Sequence, residues 1–405
     1  MDMAKPKIRF KGYQEDWEQR KLGEVFEQVS NFVNPNEGDV ELWSLTVEDG
    51  LTPKSERYNR EFLVKKEDNF KEVRPGEIVY NPMNMTLGAV GYNKMSKSVA
   101  VSGYYTTMIT KDHYDSYYIN TWLKSPQAIL LYKAYATGSL IEKQRVQFPT
   151  LSIIPAAFPN FEEQKKIGEY FTTLDNLITL HQRKCDQTKK LKKFMLQKMF
   201  PQNGKKVPEL RFSEFTDDWE QRKLGEYAEI VGGGTPSTKV SAYWDGDINW
   251  YAPAEILDQI YLSSSQRKIT EQGLNRSSAK MLPVGTVLFT SRAGIGKTAI
   301  LSHVACTNQG FQSIVPHDGK LDSYFIYSRT DELKKYAETV GAGSTFVEVS
   351  GKQMSNMELM MPKTIKEQQV IGNYFRKIDN LITLHQRKYE ELQKVKKFML
   401  QNMFV

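Results

Sequence analysis

A tandem repeat sets the strongest limit on how this chain can fold. The nine-residue sequence Asp16–Glu24 recurs at Asp218–Glu226, and the ten-residue sequence Asp175–Lys184 recurs at Asp379–Lys388. The segments between these matching blocks differ strongly from each other. The repeat therefore predicts one scaffold that is used twice and that presents two divergent inserts.

The composition supports two ordinary globular domains. A chain of 405 residues exceeds the roughly 250 to 300 residues at which a single hydrophobic core stops growing. No apolar run approaches the ~18 residues needed to cross a bilayer, and no secretory signal is visible. We therefore expect a cytoplasmic protein that does not contact a membrane. The net charge of +7 suits a polyanionic partner without proving one.

The cysteines predict neither a disulfide framework nor a metal site. The chain has only Cys185 and Cys306, one in each half, without a second cysteine or paired histidines nearby. Both are expected to be reduced thiols, and the sequence offers no catalytic or cofactor-binding cluster.

Two long helices are predicted from a seven-residue hydrophobic period. The period runs through residues 161 to 200 and returns in the same register from residue 361 to the end of the sequence. Their starts match, because Asn160 precedes Glu163 and Thr364 precedes Glu367 by the three residues of a capping box. The predicted helix-helix seam contains Ile167, Leu174, Leu177, His181, Leu191, Ile371, Ile378, Leu381, His385 and Leu392.

The identical block near the middle of each helix favours an antiparallel pair. In such a pair, residues near the centre would face their own counterparts, so a self-complementary sequence would be most constrained there. The inserts, roughly 25–158 and 227–360, combine short apolar runs with Gly, Asn and Ser loops. Matching turns, such as Thr137-Gly138-Ser139 and Ala342-Gly343-Ser344, suggest that both inserts share one fold.

The predicted fold class is α+β, with two mixed α/β globules, two long helices forming an antiparallel coiled coil, and an internal pseudo-two-fold repeat. We expect a lead and first globule over 1–158 and a first long helix over 159–202. A linker, repeated lead and second globule follow over 203–360, and a second long helix occupies 361–405.

In this order the motifs resemble the specificity subunit of type I restriction–modification enzymes. The similarity is carried by the leads Arg9–Glu24 and Arg211–Glu226 and by the helix starts at Glu163 and Glu367, and it covers nearly the whole chain. The resemblance implies a non-catalytic subunit with two target-recognition domains. Each domain would read one half of a bipartite, asymmetric site in double-stranded DNA, and the helices would space them and dock partners.

The resemblance also implies which molecules work with this chain. Two methylation subunits and two restriction subunits would assemble on it. S-adenosylmethionine, ATP and Mg²⁺ are then expected on those partners, with none on this chain. If the helices hold both readers on one face of DNA, the half-sites should lie about one helical turn apart, roughly 34 Å.

Two near-matches to enzyme motifs are better explained otherwise. Ser291–Thr298 resembles a phosphate-binding loop, but serine stands where the first glycine is required, and apolar runs on both sides predict a hairpin. Tyr80–Asn84 resembles an adenine-methyltransferase motif, but its second proline and its aromatic residue are missing. A self-contained ATPase or methyltransferase is therefore disfavoured.

Candidate DNA contacts are polar residues in loops, where amides, hydroxyls and cations can reach bases or phosphates. Asn308 and Gln309 are of special interest because amide side chains can bind adenine through two hydrogen bonds. In the first insert the candidates are Lys54, Arg57, Asn59, Arg60, Ser139, Lys143, Gln144 and Arg145. In the second they are Gly233, Thr235, Ser237, Arg292, Lys297, Asn308, Gln309 and Ser344.

Of the neighbouring Tyr104 and Tyr105, only one should face outward, because successive residues of a strand alternate. Two alternatives to the DNA-reading function stay open at this point. One is a scaffold or adaptor that binds only proteins. The other is the specificity subunit of a related system in which methyltransferase and nuclease are fused.

Overall fold

The computed structural model describes residues 5–35, 40–48, 50–54, 69–138, 144–202, 204–292, 294–341 and 348–405. The chain forms two compact units. Unit 1 contains residues 1–182 and 386–405, and unit 2 contains residues 183–385. The boundary between the units cuts through both long helices. Each unit is therefore more than a simple succession of a lead, a globule and one helix.

Unit 1 combines short strands with short helices ahead of a long helix. Its helices are α1 (Leu22–Val25), α2 (Ser116–Trp122), α3 (Pro126–Tyr135), α4 (Phe148–Ser152) and the first part of α5 (Phe161–Lys198), with a 3₁₀ turn at Met85–Leu87. Its strands are β1 (Glu18–Lys21), β2 (Phe26–Val29), β3 (Asn31–Val33), β4 (Glu41–Thr46), β5 (Gly50–Pro53), β6 (Phe70–Val73), β7 (Ile78–Tyr80), β8 (Val90–Tyr92), β9 (Val99–Ser102), β10 (Thr106–Thr110) and β11 (Pro155–Phe158).

Unit 2 has a similar but not identical order of elements. Its strands are β12 (Glu220–Lys223), β13 (Ala228–Gly232), β14 (Trp244–Tyr251), β15 (Tyr261–Leu262), β16 (Arg267–Ile269), β17 (Val287–Phe289), β18 (Thr298–Leu301), β19 (Cys306–Thr307), β20 (Gln312–Pro316) and β21 (Glu358–Met361). Its helices are α6 (Glu271–Asn275), α7 (Ser323–Ser328), α8 (Thr330–Gly341), α9 (Gly351–Ser355) and the first part of α10 (Ile365–Asn402), with 3₁₀ turns at Leu224–Glu226, Ser241–Tyr243 and Pro253–Glu255.

The described strands form three sheets in each unit. Unit 1 has the pair β1-β11, the order β2-β10-β7-β8 and the order β3-β6-β9-β4-β5. Unit 2 has the pair β12-β21, the order β13-β20-β17-β18-β15 and the order β16-β14-β19. Strand pairs are mostly antiparallel, but β4-β9, β14-β19 and β15-β18 are parallel, and the first two of these occupy equivalent places. The predicted fold class, with one fold used twice, is confirmed.

The two long helices run antiparallel within each unit. In unit 1, Asp175 of α5 pairs with Lys396 of α10 at 2.5 Å. In unit 2, Lys192 of α5 pairs with Asp379 of α10 at 2.7 Å. The helix starts carry the predicted caps, since the Asn160 side chain accepts the amide hydrogen of Glu163 at 3.0 Å, and Thr364 does the same for Glu367.

Helix ends complete both hydrophobic cores. Met199 and Phe200, which follow α5, are buried in unit 2, where the Phe200 ring stacks on Phe375. Met403 and Phe404, which follow α10, are buried in unit 1. Each core is therefore built from a lead, a globule, the start of one long helix and the end of the other.

Part of the predicted seam is wrong. Ile167, Leu174, Ile371, Ile378 and Leu392 are buried, and His181 and His385 are half-buried. Leu177, Leu191 and Leu381, however, are 38%, 47% and 48% exposed.

The predicted seam combines two lines of residues along each helix, of which the first runs through Ile167 and Leu174 and the second through Leu177 and Leu191 in α5. The second line is wrong by one residue. The prediction places the second line three residues after the first, whereas burial follows four residues after it. The buried residues are Phe171 in α5, Cys185 in α5, Met199 after α5, Phe375 in α10 and Met403 after α10. Both offsets lie next to the first line on a helix, on opposite flanks. Only the packing of the globules and the partner helix decides which flank is covered.

The repeated motif at each helix start joins the lead to the helix. The guanidinium of Arg9 donates two hydrogen bonds of 2.7 Å to the carboxylate of Glu163, and Arg211 binds Glu367 in the same way. These bonds are the main reason that the pKa of each arginine is raised. Glu163 and Glu367 thus anchor a distant arginine, in addition to beginning the helix.

Candidate nucleic-acid interface

Three loops of unit 2 converge beside the carboxyl end of β17. The amide of Ser291, just after β17, donates to the carbonyl of Gly310 at 2.8 Å. The amide of Val349 donates to the carbonyl of Ser291 at 3.1 Å. Segments that are distant in sequence, around 291, 310 and 349, are therefore held together by backbone hydrogen bonds. We call the loops Gly232–Ser237, Ser291–Lys297 and Asn308–Gly310 the loop cluster of unit 2.

Glycine allows the first of these loops to approach the third. The amide of Gly234 donates to the carbonyl of Thr307 at 2.8 Å. A Cβ on Gly233 would overlap the carbonyl oxygen of Asn308, so another residue there would force the loops apart. The indole of Trp250 donates to the carbonyl of Gly234 at 2.8 Å, and that of Trp244 donates to Ser237. The glycine-rich loop Gly232–Ser237, which the sequence indicates as a candidate DNA contact, thus packs against the loop that contains Asn308.

The third loop is a tight turn that presents Gln309 to solvent. The amide of Asn308 donates to the carbonyl of Tyr251 at 3.0 Å, and its side-chain oxygen accepts from the amide of Gly310 at 2.8 Å. The hydroxyl of Thr235 donates a hydrogen bond to the side-chain oxygen of Gln309. Gln309 is exposed and Thr235 is half-buried. Two candidates from separate sequence segments are therefore in direct contact.

The second loop is the hairpin predicted from the sequence. Strands β17 and β18 pair antiparallel around it, with Leu288 opposite Ala299. A strand, and no helix, follows the loop, so the geometry of a phosphate-binding loop is absent from this described segment. Lys297 at the end of the turn is exposed, and Arg292 is half-buried. Both cations belong to the loop cluster.

Two buried groups next to the cluster, Tyr251 and Cys306, stay uncharged at neutral pH, and burial moves their pKa values further from it. Desolvation raises the pKa of the Tyr251 hydroxyl to about 12, with a smaller contribution from the charge of Glu255. Desolvation also raises the pKa of the Cys306 thiol to about 11. Neither group suits a nucleophile at neutral pH, because both stay protonated. The cluster offers amides, hydroxyls and cations for binding, with no activated base or nucleophile among these groups.

Unit 1 has an equivalent cluster with different side chains. The amide of Val146 donates to the carbonyl of Pro82 at 2.9 Å, matching Val349 and Ser291 of unit 2. The loop after β7 is longer, and Met83 and Leu87 in it are 40% and 58% exposed. The same position therefore presents apolar side chains in unit 1 and cations in unit 2.

The candidates of unit 1 are only partly covered by the structure. Gln144 and Arg145 lie beside this cluster, where Arg145 and Thr137 exchange backbone hydrogen bonds. Lys54 directly follows β5, and its amide donates to the carbonyl of Leu42 at 3.2 Å. Arg57, Asn59, Arg60, Ser139 and Lys143, together with Ser344 of unit 2, lie outside the described residues.

The sequence left open which of Tyr104 and Tyr105 in unit 1 faces outward. Tyr104 is 50% exposed, whereas Tyr105 packs against buried residues, so only one of the two faces outward. Both lie in the turn between β9 and β10, so the alternation of a strand, on which the prediction rested, is not the reason. Tyr104 follows β9, just as Gln309 follows β19 in unit 2. Tyr104 and Gln309 occupy equivalent places because β9 and β19 belong to the equivalent parallel pairs β4-β9 and β14-β19. Since strand pairing is not visible in the sequence, this equivalence could not be predicted.

The described residues hold no group of three or more His, Cys, Asp or Glu side chains suited to a metal ion. Within the same ranges, no helix combines the length and apolar character required to cross a membrane.

Comparison with known proteins identifies the family. A family model for the type I restriction modification DNA specificity domain matches residues 14–190 and, a second time, residues 216–394. The chain belongs to this family. Each match includes a lead, a globule and most of a long helix, so the specificity domain corresponds to the repeated element of the sequence.

Individual relatives agree with two specificity domains in one chain. The MjaIX specificity subunit of Methanocaldococcus jannaschii is 37% identical over 191 residues, which is 46% of this chain and 44% of the relative. The MjaVIII specificity subunit of the same organism is 22% identical over 405 residues, covering 95% of this chain and 91% of the relative. A crystal structure of a type I restriction–modification S subunit from M. genitalium covers 99% of both chains with a TM-score of 0.64 and 14% identity, which supports a common fold.

Proposed function

We propose that this chain is the non-catalytic DNA specificity subunit of a type I restriction–modification complex. The globule of unit 1 would read one half of a bipartite, asymmetric DNA site, and the globule of unit 2 would read the other. Family membership over both halves of the chain is the observation that carries this proposal.

The loop clusters support a division into two different readers. Both are fixed by the same backbone bond, but unit 1 exposes Met83 and Tyr104 where unit 2 presents Lys297 and Gln309. A symmetric protein with identical readers would bind a palindrome, whereas different readers on a repeated frame suit an asymmetric site. Amide groups can bind base edges, and cations can bind phosphates.

The test is to map adenine methylation in cells that carry this chain with a methylation subunit. Single-molecule sequencing should reveal a bipartite motif that is absent when the methylation subunit is expressed alone. Exchange of residues 227–360 for those of a relative should change one half of the motif and leave the other intact. If no methylation motif depends on this chain, a scaffold that binds only proteins becomes the better explanation.

We further propose that the long helices dock two methylation subunits. Apolar side chains form an exposed stripe on each helix, at spacings of three and fourteen residues, which lie on one face. The stripe of α5 contains Leu177, Leu180, Leu191 and Phe194, and that of α10 contains Leu381, Leu384 and Phe398. Phe194 and Phe398 are 48% and 54% exposed, so neither is covered by its own unit.

Leu177, Leu180 and Phe194 of α5 are equivalent to Leu381, Leu384 and Phe398 of α10, so the stripe supports two similar docking sites. The double variant Leu384→Glu/Phe194→Glu in unit 2 should reduce the number of bound methylation subunits from two to one, as measured by native mass spectrometry. Lys193→Ala, next to Phe194 but about 100° around the helix, is the matched control and should keep both. Retention of two methylation subunits by the double variant would contradict docking through the stripe.

The catalytic chemistry would then reside on the partners. The methylation subunits would bind S-adenosylmethionine, and two restriction subunits would use ATP and Mg²⁺. The buried, protonated state of Tyr251 and Cys306 is consistent with a binding role for this chain. A specificity subunit for a fused methyltransferase–nuclease would give the same motif in the methylation test, and would differ in the mass of the copurified partner.

A further inference from the structure

We propose that Gln309 reads an adenine in the major groove of the half-site bound by unit 2, and that Thr235 orients its amide for this purpose. The inference rests on the proposed function, since it requires that the loop cluster meets DNA. It specifies which base the proposed DNA-reading function recognises and which hydrogen bonds recognise it.

The turn that carries Gln309 is held from several sides. The carbonyl of Thr307 accepts from Gly234, the amide of Asn308 donates to Tyr251, and the carbonyl of Gly310 accepts from Ser291. The distances between these nitrogen and oxygen atoms are 2.8, 3.0 and 2.8 Å. A backbone fixed on both sides of Gln309 gives this side chain a defined origin, as accurate base recognition requires.

The neighbouring amide is used inside the protein. The side-chain oxygen of Asn308 accepts from the amide of Gly310 at 2.8 Å and closes the turn. A Cβ at Gly310 would lie 2.7 Å from Pro253 and 3.0 Å from that same oxygen, so the turn is packed tightly. Of the two adjacent amide side chains, Gln309 is therefore the exposed one that can bind an external partner.

The hydrogen bond from Thr235 fixes the orientation of the Gln309 amide. The Thr235 hydroxyl donates to the side-chain oxygen of Gln309, so the two hydrogens of the NH₂ group are not used in this bond. The oxygen keeps a second lone pair. One donor and one acceptor side by side match the N7 acceptor and the N6 donor of adenine. Guanine offers two acceptors at these positions and would face the amide oxygen unfavourably.

The surrounding charges suit a nucleic acid. Arg292 and Lys297 lie on the adjoining hairpin, whose backbone is bonded to the Gln309 turn through Ser291 and Gly310. Cations beside a fixed amide are expected to bind phosphates and set the register in which the amide meets a base. The loop cluster thus supplies cations that can bind phosphates and an amide that can read a base.

The experiment is to compare methylation motifs of the whole complex carrying wild-type chain, Gln309→Leu, Gln309→Glu or Thr235→Val. Gln309→Leu should lower the preference for one A·T pair by roughly 5- to 150-fold and leave all other positions of the motif unchanged. That pair should belong to the half that changes when residues 227–360 are exchanged. Gln309→Glu should lose the same adenine preference and favour cytosine, because a carboxylate can accept from the cytosine amino group.

Thr235→Val should weaken the preference at the same pair only, and to a smaller extent than Gln309→Leu. Gln272→Ala, an exposed glutamine on α6 of the same unit, is the matched control and should leave the motif intact. An unchanged motif in both Gln309 variants overturns the inference, as does relaxation at a G·C pair or in the other half-site. In each of these cases a wild-type bipartite motif would still stand, so the proposed function would survive. Absence of any wild-type motif would overturn both.

Discussion

At the scale of single residues, the same sequence position can acquire different surroundings in the two repeats. Asp379 in unit 2 is 5% exposed, binds Lys192 at 2.7 Å and accepts a hydrogen bond of 2.8 Å from the hydroxyl of Tyr324. Its counterpart Asp175 in unit 1 binds Lys396, but both side chains are about one-third exposed. Burial, followed by the charge of Asp379, raises the pKa of Tyr324. An identical block therefore forms a buried network in one unit and a surface ion pair in the other.

This difference predicts unequal effects of two matched substitutions. Lys192→Met should lower the free energy of unfolding by about 2 to 4 kcal/mol, because it leaves the buried carboxylate of Asp379 without its cation. Lys396→Met removes the equivalent surface partner and should cost less than about 1 kcal/mol. Urea unfolding of the full chain, followed by tryptophan fluorescence, measures both values. Equal losses would show that burial of Asp379 does not control the strength of the pair.

At the scale of elements, the ends of the long helices are structural parts of the opposite repeat. The ring of Phe404, near the last residue of the chain, lies 5.7 Å from that of Tyr118 and 5.6 Å from that of Phe171, centroid to centroid. Phe200 occupies the matching place in unit 2, close to Trp219 and Phe325. Each helix therefore stabilises the globule of the other repeat through its final aromatic residue.

Removal of one terminal ring should thus destabilise a domain that is distant in sequence. Phe404→Ala should cost about 3 to 5 kcal/mol, since Phe404 is only 3% exposed and its loss leaves a cavity. Limited proteolysis should then cleave unit 1 first, within residues 69–138. Phe398→Ala, which removes an exposed ring six residues earlier, is the control and should change stability by less than about 0.5 kcal/mol. Faster cleavage in unit 2 would contradict the assignment of Phe404 to the core of unit 1.

At the scale of the whole molecule, the repeat predicts that the length of the helix pair sets the spacer between the two half-sites of the DNA. Seven extra residues in both helices, inserted after Gln182 and Gln386, add about 10 Å at 1.5 Å per residue. We expect the spacer of the DNA site to lengthen by roughly three base pairs while both half-sites keep their sequences. Sequencing of methylated sites measures the spacer directly. A changed half-site with an unchanged spacer would mean that the helices do not set this distance.

Much of this architecture could be predicted from local patterns. The caps at Asn160 and Thr364, the helix starts and the hairpin before Lys297 all depend on residues close in sequence, and all three are confirmed. The bonds from Arg9 to Glu163 and from Arg211 to Glu367 could not be predicted in this way. They join residues more than 150 positions apart.

The candidate site shows the same division. The sequence indicated Thr235 and Gln309 as separate polar candidates, because residue type and loop composition are local properties. Their contact depends on the parallel pairing of β14 and β19 and on the close approach of Gly233 to Asn308. Strand pairing over such separations is decided by the packing of the whole domain, which leaves no short-range signal.

The sequence alone determined that this protein contains one scaffold twice, with two long helices and two divergent globules, because repetition and hydrophobic period are written directly in the order of residues. Tertiary structure decided which helix face is buried. Leu177 and Leu381 satisfy the heptad pattern as well as buried residues do, but the globules and the partner helix cover the other flank. Burial is a property of the packed assembly of elements, and a helix carrying apolar residues on both flanks cannot specify it by itself.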